Sequence, residues 1–399
     1  MQYEIILNIP DIVIDEVKQK GRSPLLFRAR HIGSVSCPHC GEEAVRKRGK
    51  KCRVVRHNDI GKRKVWIELW GHKYECLLCA RYFNTRYRSI LPRRKYTESF
   101  RKELVNMHCK GISQSELGNW LKVGSASIER WYHDFQAHKS GEWAYQNLPK
   151  YLGIDEHRFS KKVGFATTLC DLEHNQIVDV LPGKSDSKLS ARLNKLNGRH
   201  NVQMVNMDLS DHYRSLVKKY FPNACIVADR FHVIRLINHH FLKTWHALDP
   251  TAKNNRGLLS LMRRHQWHLK DHQKHRFYHY LDQHPGLRPI YDFKQQLVKL
   301  CLIKHQSAKQ IRKLIPQLLF MIQELKESKF PHLVTLGETF DSWLQEIASM
   351  WRFTKNNSIT EGFHRKMKLI QRRAYGFKNF ENYRLRVLSL CGPIPFTLT

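Results

Sequence analysis

Two kinds of residue in this chain have the types and spacing to do chemistry: acids that follow short apolar runs, and cysteines in matched pairs. The run Val202-Gln-Met-Val-Asn-Met207 ends in Asp208, the run Ala224 to Ala228 ends in Asp229, and Tyr151-Leu-Gly-Ile154 leads into Asp155-Glu156. An acid at the carboxyl end of a parallel strand lies at the rim where ligands bind, not in the core. Glu361 opens a stretch of helical periodicity far downstream. Carboxylates that converge from separate elements offer hard oxygen ligands to Mg²⁺, which keeps waters and takes further ligands from phosphate. Two such ions about 3.5–4 Å apart activate a water or a 3′-hydroxyl and stabilise the leaving oxygen. Asp155, Asp208 and Glu361 are one set able to do this. Glu156, Asp211 and Asp229 stand beside them as candidates, and without metal the grouped acids would raise one another's pKa.

The cysteines make the second constellation. Cys37-Pro-His-Cys40 and Cys76-Leu-Leu-Cys79 place four thiolates on two tight knuckles, which suits tetrahedral zinc. The 35 residues between the pairs exceed the usual spacing of about 15–20. That interval is strongly basic, with Arg46, Lys47, Arg48, Lys50, Lys51 and Arg53, then Lys62, Arg63 and Lys64, before the alternating Val65-Trp-Ile-Glu-Leu-Trp70. It reads as a hairpin whose bases face phosphate. Cys52 stands alone there and is not expected to be a ligand.

The elements that position these residues follow from periodicity. Residues 1 to about 30 carry one amphipathic apolar stretch. Arg81 to Lys95 reads as an Arg-rich connector with interleaved Tyr82, Phe83 and Tyr87, suited to phosphate contacts or to a solvated linker. Thr97 to His108 predicts a helix capped by Thr97, with Phe100, Leu104 and Met107 on one face. A second helix over Ser113 to Leu121, a turn at Val123-Gly124 and a third helix over Ser125 to Phe135 give the helix-turn-helix layout. There Ser125, Ser127 and Arg130 would face a major groove; a plain three-helix packing unit is the alternative. After a linker at Gly141 to Lys150, the pattern predicts three consecutive strands, a helix over Asp186 to Asn197, the strand ending at Asp208, a helix over Ser210 to Tyr220, and the strand ending at Asp229. This is the order of an α/β RNase H-like domain. Residues 235–350 turn helical and rich in His, Lys, Arg and Gln, which reads as an all-helical insertion with a phosphate-facing surface. A last helix, capped by Ser358 or Thr360, runs to about Arg373. It carries Phe363, Met367, Ile370 and Ala374 on one stripe, and Glu361, Arg365, Lys368 and Arg372 on the opposite one. The domain plan is therefore 1–95 zinc module with connector, 96–140 helix-turn-helix, 141–234 first part of the catalytic domain, 235–350 helical insertion, and 351–399 its last part with the Glu361 helix.

Charge narrows the partners. Lys+Arg number 69 against Asp+Glu 35, a formal net charge of +34 in 399 residues, which implies a polyanionic partner. Nucleic acid fits first. A membrane surface fits less well, since no apolar stretch approaches about 18 residues. The start Met1-Gln-Tyr-Glu-Ile-Ile-Leu-Asn8 lacks the pattern of a signal peptide, so a cytosolic, nucleoid-associated setting is expected, where ten cysteines do not form a disulfide framework.

Motifs along nearly the whole chain resemble the DDE transposases of bacterial insertion sequences, in particular the ISL3 family. They are the module at Cys37 to Cys79, the helices near 97–135, Gly153-Ile-Asp-Glu156, Met207-Asp208-Leu-Ser with Tyr213, Phe221-Pro-Asn-Ala224, Ala228-Asp-Arg-Phe-His-Val233, and Thr360-Glu-Gly362 through Arg373-Ala-Tyr-Gly-Phe377. The resemblance implies that Asp155, Asp208 and Glu361 are the first, second and third metal-binding catalytic acids. The separation of 153 positions from Asp208 to Glu361 would hold the helical insertion. It implies that Asp229 and His232 support the metal site from behind, and that Arg365, Lys368 and Arg372 run along DNA. At His364 the family pattern tends toward Asn, which the sequence alone places as a helix-surface contact. The expected activity is Mg²⁺- or Mn²⁺-dependent 3′-end cleavage and strand transfer, with structural Zn²⁺ at the four cysteines. The expected partners are double-stranded transposon ends and target DNA, bound by a homodimer or larger homo-oligomer. A non-catalytic DNA-binding regulator and a nuclease that does not join strands are the rival readings; a mere binder has no need of three acids at element ends.

Overall fold

The computed structural model describes residues 7–18, 24–144, 147–162, 164–355 and 358–393. They fall into two compact units, Met1–His138 and Lys139–Pro395.

The first unit is built on one sheet of β1 (Ile12–Lys18), β2 (Leu25–His31), β3 (Val45–Ile60), β4 (Arg63–Cys76) and β5 (Tyr82–Asn84). Its order is β1-β2-β4-β3, with β5 paired to β4. Period-two alternation makes these strands: Val65, Ile67 and Leu69 are fully buried while Glu68 and Trp70 between and beyond them face outward. The amphipathic stretch near the start thus becomes two strands, with Ile12, Leu25, Phe27 and Ala29 packed into the same core. The Arg81–Lys95 stretch is partly tied to this sheet. Phe83, Tyr87 and Ile90 are buried and β5 hydrogen-bonds to β4, which anchors the segment, while Tyr82 and Arg81, Arg86, Arg88 and Arg93 stay exposed. Burying two aromatic rings outweighs leaving them in water.

Three helices follow: α1 (Glu98–Cys109), α2 (Gln114–Leu121) and α3 (Ser125–Ala144). Thr97 Oγ1 accepts from Phe100 N at 3.2 Å, the expected cap, and Ser113 with Glu116 forms a capping box. The α2–α3 turn is tight. Lys122 adopts a left-handed φ of 57°, and a Cβ on Gly118 would sit 2.8 Å from the carbonyl oxygen of Val123. Phe100, Leu104, Leu117, Ile128 and Trp131 fill the space between the helices. Helix α3 runs on to Ala144, past the expected linker start at Gly141, and 145–146 lie outside the described residues.

The second unit holds a sheet of β6 (Tyr151–Ser160), β7 (Gly164–Asp171), β8 (Gln176–Pro182), β9 (Met204–Met207) and β10 (Cys225–Ala228). Its order is β10-β9-β6-β7-β8, with β6 to β8 antiparallel and both β9 and β10 running parallel to β6. Between β8 and β9 lies α4 (Asp186–Leu193), which stops short of the expected Asn197; α5 (Asp211–Tyr220) joins β9 to β10. The strand expected to end at Asp155 continues to Ser160. Only its parallel ladder with β9 stops at Ile154, while the antiparallel pairing with β7 carries it further. Val163, just ahead of β7, lies outside the described residues.

Helix α6 (Arg230–Leu248) starts directly after Asp229. It is followed by α7 (Arg256–Arg263), α8 (Asp271–Gln283), α9 (Leu287–Leu302), α10 (Ala308–Lys326), α11 (Pro331–Ser342) and α12 (Leu344–Ser349), and then by α13 (Ser358–Arg373) and α14 (Phe380–Cys391). Pro331 opens its helix at a position where no amide is needed. Leu297, Leu318, Leu336, Phe340 and Ile347 share one core with the sheet, whereas Trp245, Phe277, Leu281 and Tyr291 form a smaller core of their own. Trp351 is wholly buried and donates its indole N–H to Leu300 O at 2.8 Å.

Candidate active site and zinc centre

The parallel register aligns three acids. Ile154 pairs with Met207 and Met207 pairs with Ala228, so the next residues, Asp155, Asp208 and Asp229, stand side by side at the ends of the parallel ladders. Period-two alternation puts all three on one face. Asp229 is buried and Asp155 nearly so, whereas about a third of the Asp208 side chain is exposed. A pocket of about 300 Å³ opens against this rim, lined by Asp155, Glu156, Lys184, Asp208, His212 and Tyr213 among others. Tyr213 is anchored there by a 2.9 Å hydrogen bond to Thr167.

His232, one turn into α6, holds two of the acids. Its Nδ1 donates to Asp229 Oδ2 at 2.8 Å, and Asp208 Oδ1 lies 2.6 Å from the same nitrogen without the alignment of a hydrogen bond. Burial works against a charged imidazole, but Asp208 and Asp229 outweigh it and lift the ring to about 10. Asp155 accepts from the Glu156 amide at 2.7 Å. Burial, followed by the charge of Asp208, pushes its carboxyl up to about 7. The rim thus carries more acid than its one imidazolium neutralises, and Asp208 Oδ1 is a buried oxygen without a hydrogen-bond donor. Hard oxygens in excess, with one unsatisfied, fit a divalent cation. Ligand atoms of Asp208, Asp229 and His232 lie within 4.8 Å of one another. Those of Asp155, Asp208 and Glu361 do not form such a group.

Glu361 sits half-exposed in the first turn of α13, whose apolar stripe is as expected: Phe363 and Met367 are buried and Ile370 partly so. Ala374 is exposed beyond the helix end. Arg365, Lys368 and Arg372 are exposed on the other side. One turn after Glu361, His364 Nδ1 lies 3.5 Å from Asp155 Oδ2, which brings the helix against the first acid. His364 therefore is not the helix-surface contact expected; its side chain is only 14% exposed.

Arg230, next to Asp229, was not singled out by its sequence. Its buried guanidinium donates to the carbonyls of Cys301 at 3.1 Å, Ile303 at 3.1 Å and Met350 at 2.5 Å. It ties the end of α9 and the segment after α12 to the base of the acid rim. The signal was its adjacency to an acid at a strand end, where a guanidinium fork can satisfy several carbonyls at once.

In the other unit the four thiols converge. Cys37 Sγ lies 3.7 Å from Cys79 Sγ, and Cys40 Sγ lies 3.6 Å from Cys76 Sγ. A tetrahedron with Zn–S of about 2.3 Å has sulfur–sulfur edges of about 3.8 Å, so the residues fit zinc. Each knuckle closes on itself: Gly41 N donates to Cys37 O at 2.9 Å, and Ala80 N to Cys76 O at 3.0 Å. The long interval between the pairs is the β3–β4 hairpin, which carries the chain out and back between them. Cys52 is exposed on β3, near Glu68, away from the four. Of the basic residues expected to face DNA, Arg46, Lys47, Arg48, Lys50, Lys51 and Lys62 are exposed, and Arg63 and Lys64 are half-buried. Arg48 is paired with Glu75, and Arg53 donates to the carbonyls of Leu91 and Arg94. Ser125 and Arg130 are exposed at the start of α3, with Ser127 half-buried.

Comparison with known proteins agrees with this division. A family model described as a transposase, the ISL3 type with DDE acids, matches residues 152–387. A second, described as the zinc-finger of transposase IS204/IS1001/IS1096/IS1165, matches residues 33–79. The transposase for insertion sequence element IS1001 of Bordetella parapertussis is 25% identical over 252 residues, 60% of this chain and 60% of that protein. The chain thus spans about 60% of the length of that relative. No described helix is long and apolar enough to cross a membrane. With the acid rim inside a match that covers more than half of its residues, and a zinc ribbon ahead of it, the chain belongs to the ISL3 family of DDE transposases.

Proposed function

We propose that this transposase binds the terminal inverted repeats of its own element through the zinc ribbon and the α1–α3 helices. We assign to its second unit the cutting of the 3′ ends and their joining to target DNA. The observation that carries this reading is the register that sets Asp155, Asp208 and Asp229 in one row beside an open pocket. Strand order supports an RNase H-like sheet: three antiparallel strands, with two more added parallel to the first. The tight α2–α3 turn supports a helix-turn-helix, with Ser125, Ser127 and Arg130 presented to a groove.

Asp155 and Asp208 would hold Mg²⁺ or Mn²⁺, with Glu361 supplied by α13 and with Asp229 and His232 fixing Asp208 from behind. Bound there, the metal ions would supply an activated water or 3′-hydroxyl and neutralise the leaving oxygen. The chain's own part is to orient the phosphodiester. The pocket's Lys184 and His212 and the exposed Arg365, Lys368 and Arg372 of α13 are the bases that would bind phosphates of that DNA. Two ends must be held together for joining, so a homodimer or larger assembly on DNA is expected.

Asp208→Ala and Glu361→Gln test this directly. Each is expected to lower cleavage of end DNA by roughly 10⁴-fold, while binding to that DNA stays within a few fold. Cleavage retained in both variants would sink the site assignment.

A further inference from the structure

Behind Asp155 a row of buried polar side chains runs away from the pocket. The Tyr383 hydroxyl on α14 lies 2.8 Å from His157 Nε2. His157 Nδ1 lies 3.0 Å from Thr168 Oγ1, and Thr168 Oγ1 lies 3.3 Å from His364 Nε2. His364 Nδ1 then faces Asp155 Oδ2 at 3.5 Å. Tyr383 and Thr168 are fully buried and His157 is 6% exposed. None of the four lines the pocket.

The sheet dictates this row. Asp155 and His157 are two apart on β6 and share a face, and Thr168 is the cross-strand partner of Asp155 on β7. Helices α13 and α14 add His364 and Tyr383 from the same side.

The partners also fix where the protons are. His364 Nδ1 faces Asp155 Oδ2 at 3.5 Å, an electrostatic contact longer than a hydrogen bond, and once Asp155 is a metal-binding carboxylate, which only accepts, the His364 proton belongs on Nδ1. The bare Nε2 of His364 then accepts from the Thr168 hydroxyl, whose lone pair accepts from His157 Nδ1–H. His157 Nε2 in turn accepts from the Tyr383 O–H. Every donor in the row points toward Asp155, and no group is left with two donors face to face. Apolar residues would fill this space at lower cost, because each buried polar group must find its partner.

We propose that Tyr383, His157 and Thr168 form a one-directional hydrogen-bond relay to His364, and that His364 in turn positions the Asp155 carboxylate for metal binding. The proposal rests on the reading of Asp155 as a metal ligand. The four are positioning residues: they hold the carboxylate at its rotamer against the repulsion of Asp208, and none touches the reacting atoms.

Two measurements on the full chain without DNA test it. In ¹⁵N-histidine-labelled protein, the signals lost in His157→Gln and His364→Asn identify the two rings. Both rings are expected as the Nδ1–H tautomer, and a proton on Nε2 of either overturns the relay. Mn²⁺ titration by calorimetry reads the consequence. His364→Ala is expected to weaken Mn²⁺ about tenfold, and Tyr383→Phe less. His364→Asn, whose Nδ2–H reproduces the Nδ1–H donor, is expected to stay within about threefold of the parent. Unchanged affinity in a folded His364→Ala protein, or equal losses in the Ala and Asn variants, overturns the relay. Asp155→Asn separates the two layers. If it binds Mn²⁺ as the parent does, the metal-site reading fails and takes the relay's purpose with it. If it loses Mn²⁺ while His364→Ala does not, the relay alone fails.

Discussion

Four thiols meet in the first unit because two short knuckles, each written in four consecutive residues, are brought together by one hairpin. The acid rim is assembled from β6, β9 and β10, with His232 from α6 and His364 from α13, drawn from more than 200 residues of chain. The thiol cluster supplies four ligands at the spacing of a closed tetrahedron, which leaves no position for a substrate. The acid rim is over-supplied with negative charge and open to a pocket of about 300 Å³. A complete, closed ligand set stabilises a fold, whereas an open set keeps a place for a reactant.

That contrast is broken most severely by removing the zinc. Chelation, or Cys76→Ser, is expected to unfold the ribbon end of the first unit, since structural zinc contributes about 10–16 kcal/mol to small folds of this kind. The measurement is far-ultraviolet circular dichroism together with end-DNA binding. A ribbon that stays folded and binds DNA with well under one zinc equivalent would refute the structural role. Loss of metal at the acid rim is expected instead to leave the fold intact.

A buried pair away from both centres gives a smaller effect. Arg384 of α14 donates to Asp179 of β8 at 2.6 Å, and Arg192 donates to the other oxygen at 2.9 Å. Asp179→Ala leaves the Arg384 guanidinium buried with only Glu381 as a partner, and is expected to cost about 3 kcal/mol. Thermal unfolding of the second unit measures it. Because α14 also carries Tyr383, the same variant is expected to weaken Mn²⁺ binding, which Cys76→Ser is not.

The smallest effect comes from an acid whose surroundings are the reverse of those at the rim. Asp249 accepts from Thr251 Oγ1 at 2.6 Å, Tyr280 O–H at 2.5 Å, and the amides of Thr251 and Ala252 at 3.1 and 3.2 Å. The hydroxyl donors, Thr251 first, hold its carboxyl down at about 2, whereas Asp155 is pushed up to about 7. A depressed acid stabilises the fold above its unfolded value near 4 and loses that contribution as pH falls through about 2. The stability at stake is about 2 kcal/mol. Acid titration is expected to show the parent more stable than Asp249→Asn at pH 7, with that advantage lost as pH falls from about 4 to 2. Equal acid sensitivity in both proteins would remove the contrast between the two acids.

Much of this was legible in the chain itself. The thiol pairs, the acids after apolar runs, the capped helices at Thr97 and Ser113 and the apolar stripe of α13 are all short-range patterns. A periodicity of two or 3.6 reports which residues are buried without reference to the rest of the fold. Hidden from it were the strands β1 and β2, the folding of Phe83 and Tyr87 into the core, and the continuation of β6 past Asp155. Arg230 and the row from Tyr383 to His364 were hidden too, although the alternation of Asp155 and His157 hinted at a shared face.

The sequence by itself determined the ligand chemistry: thiolates in one module, carboxylates and histidine in the other, and the local elements that carry them. Tertiary structure alone decided which elements are neighbours. That β9 lies between β6 and β10, that Asp155, Asp208 and Asp229 stand level, and that His364 reaches Asp155 across the sheet all depend on strand pairing and helix docking. Those contacts join residues up to 226 positions apart, as with His157 and Tyr383. They are chosen by the burial of whole faces, a property that no short stretch of sequence holds.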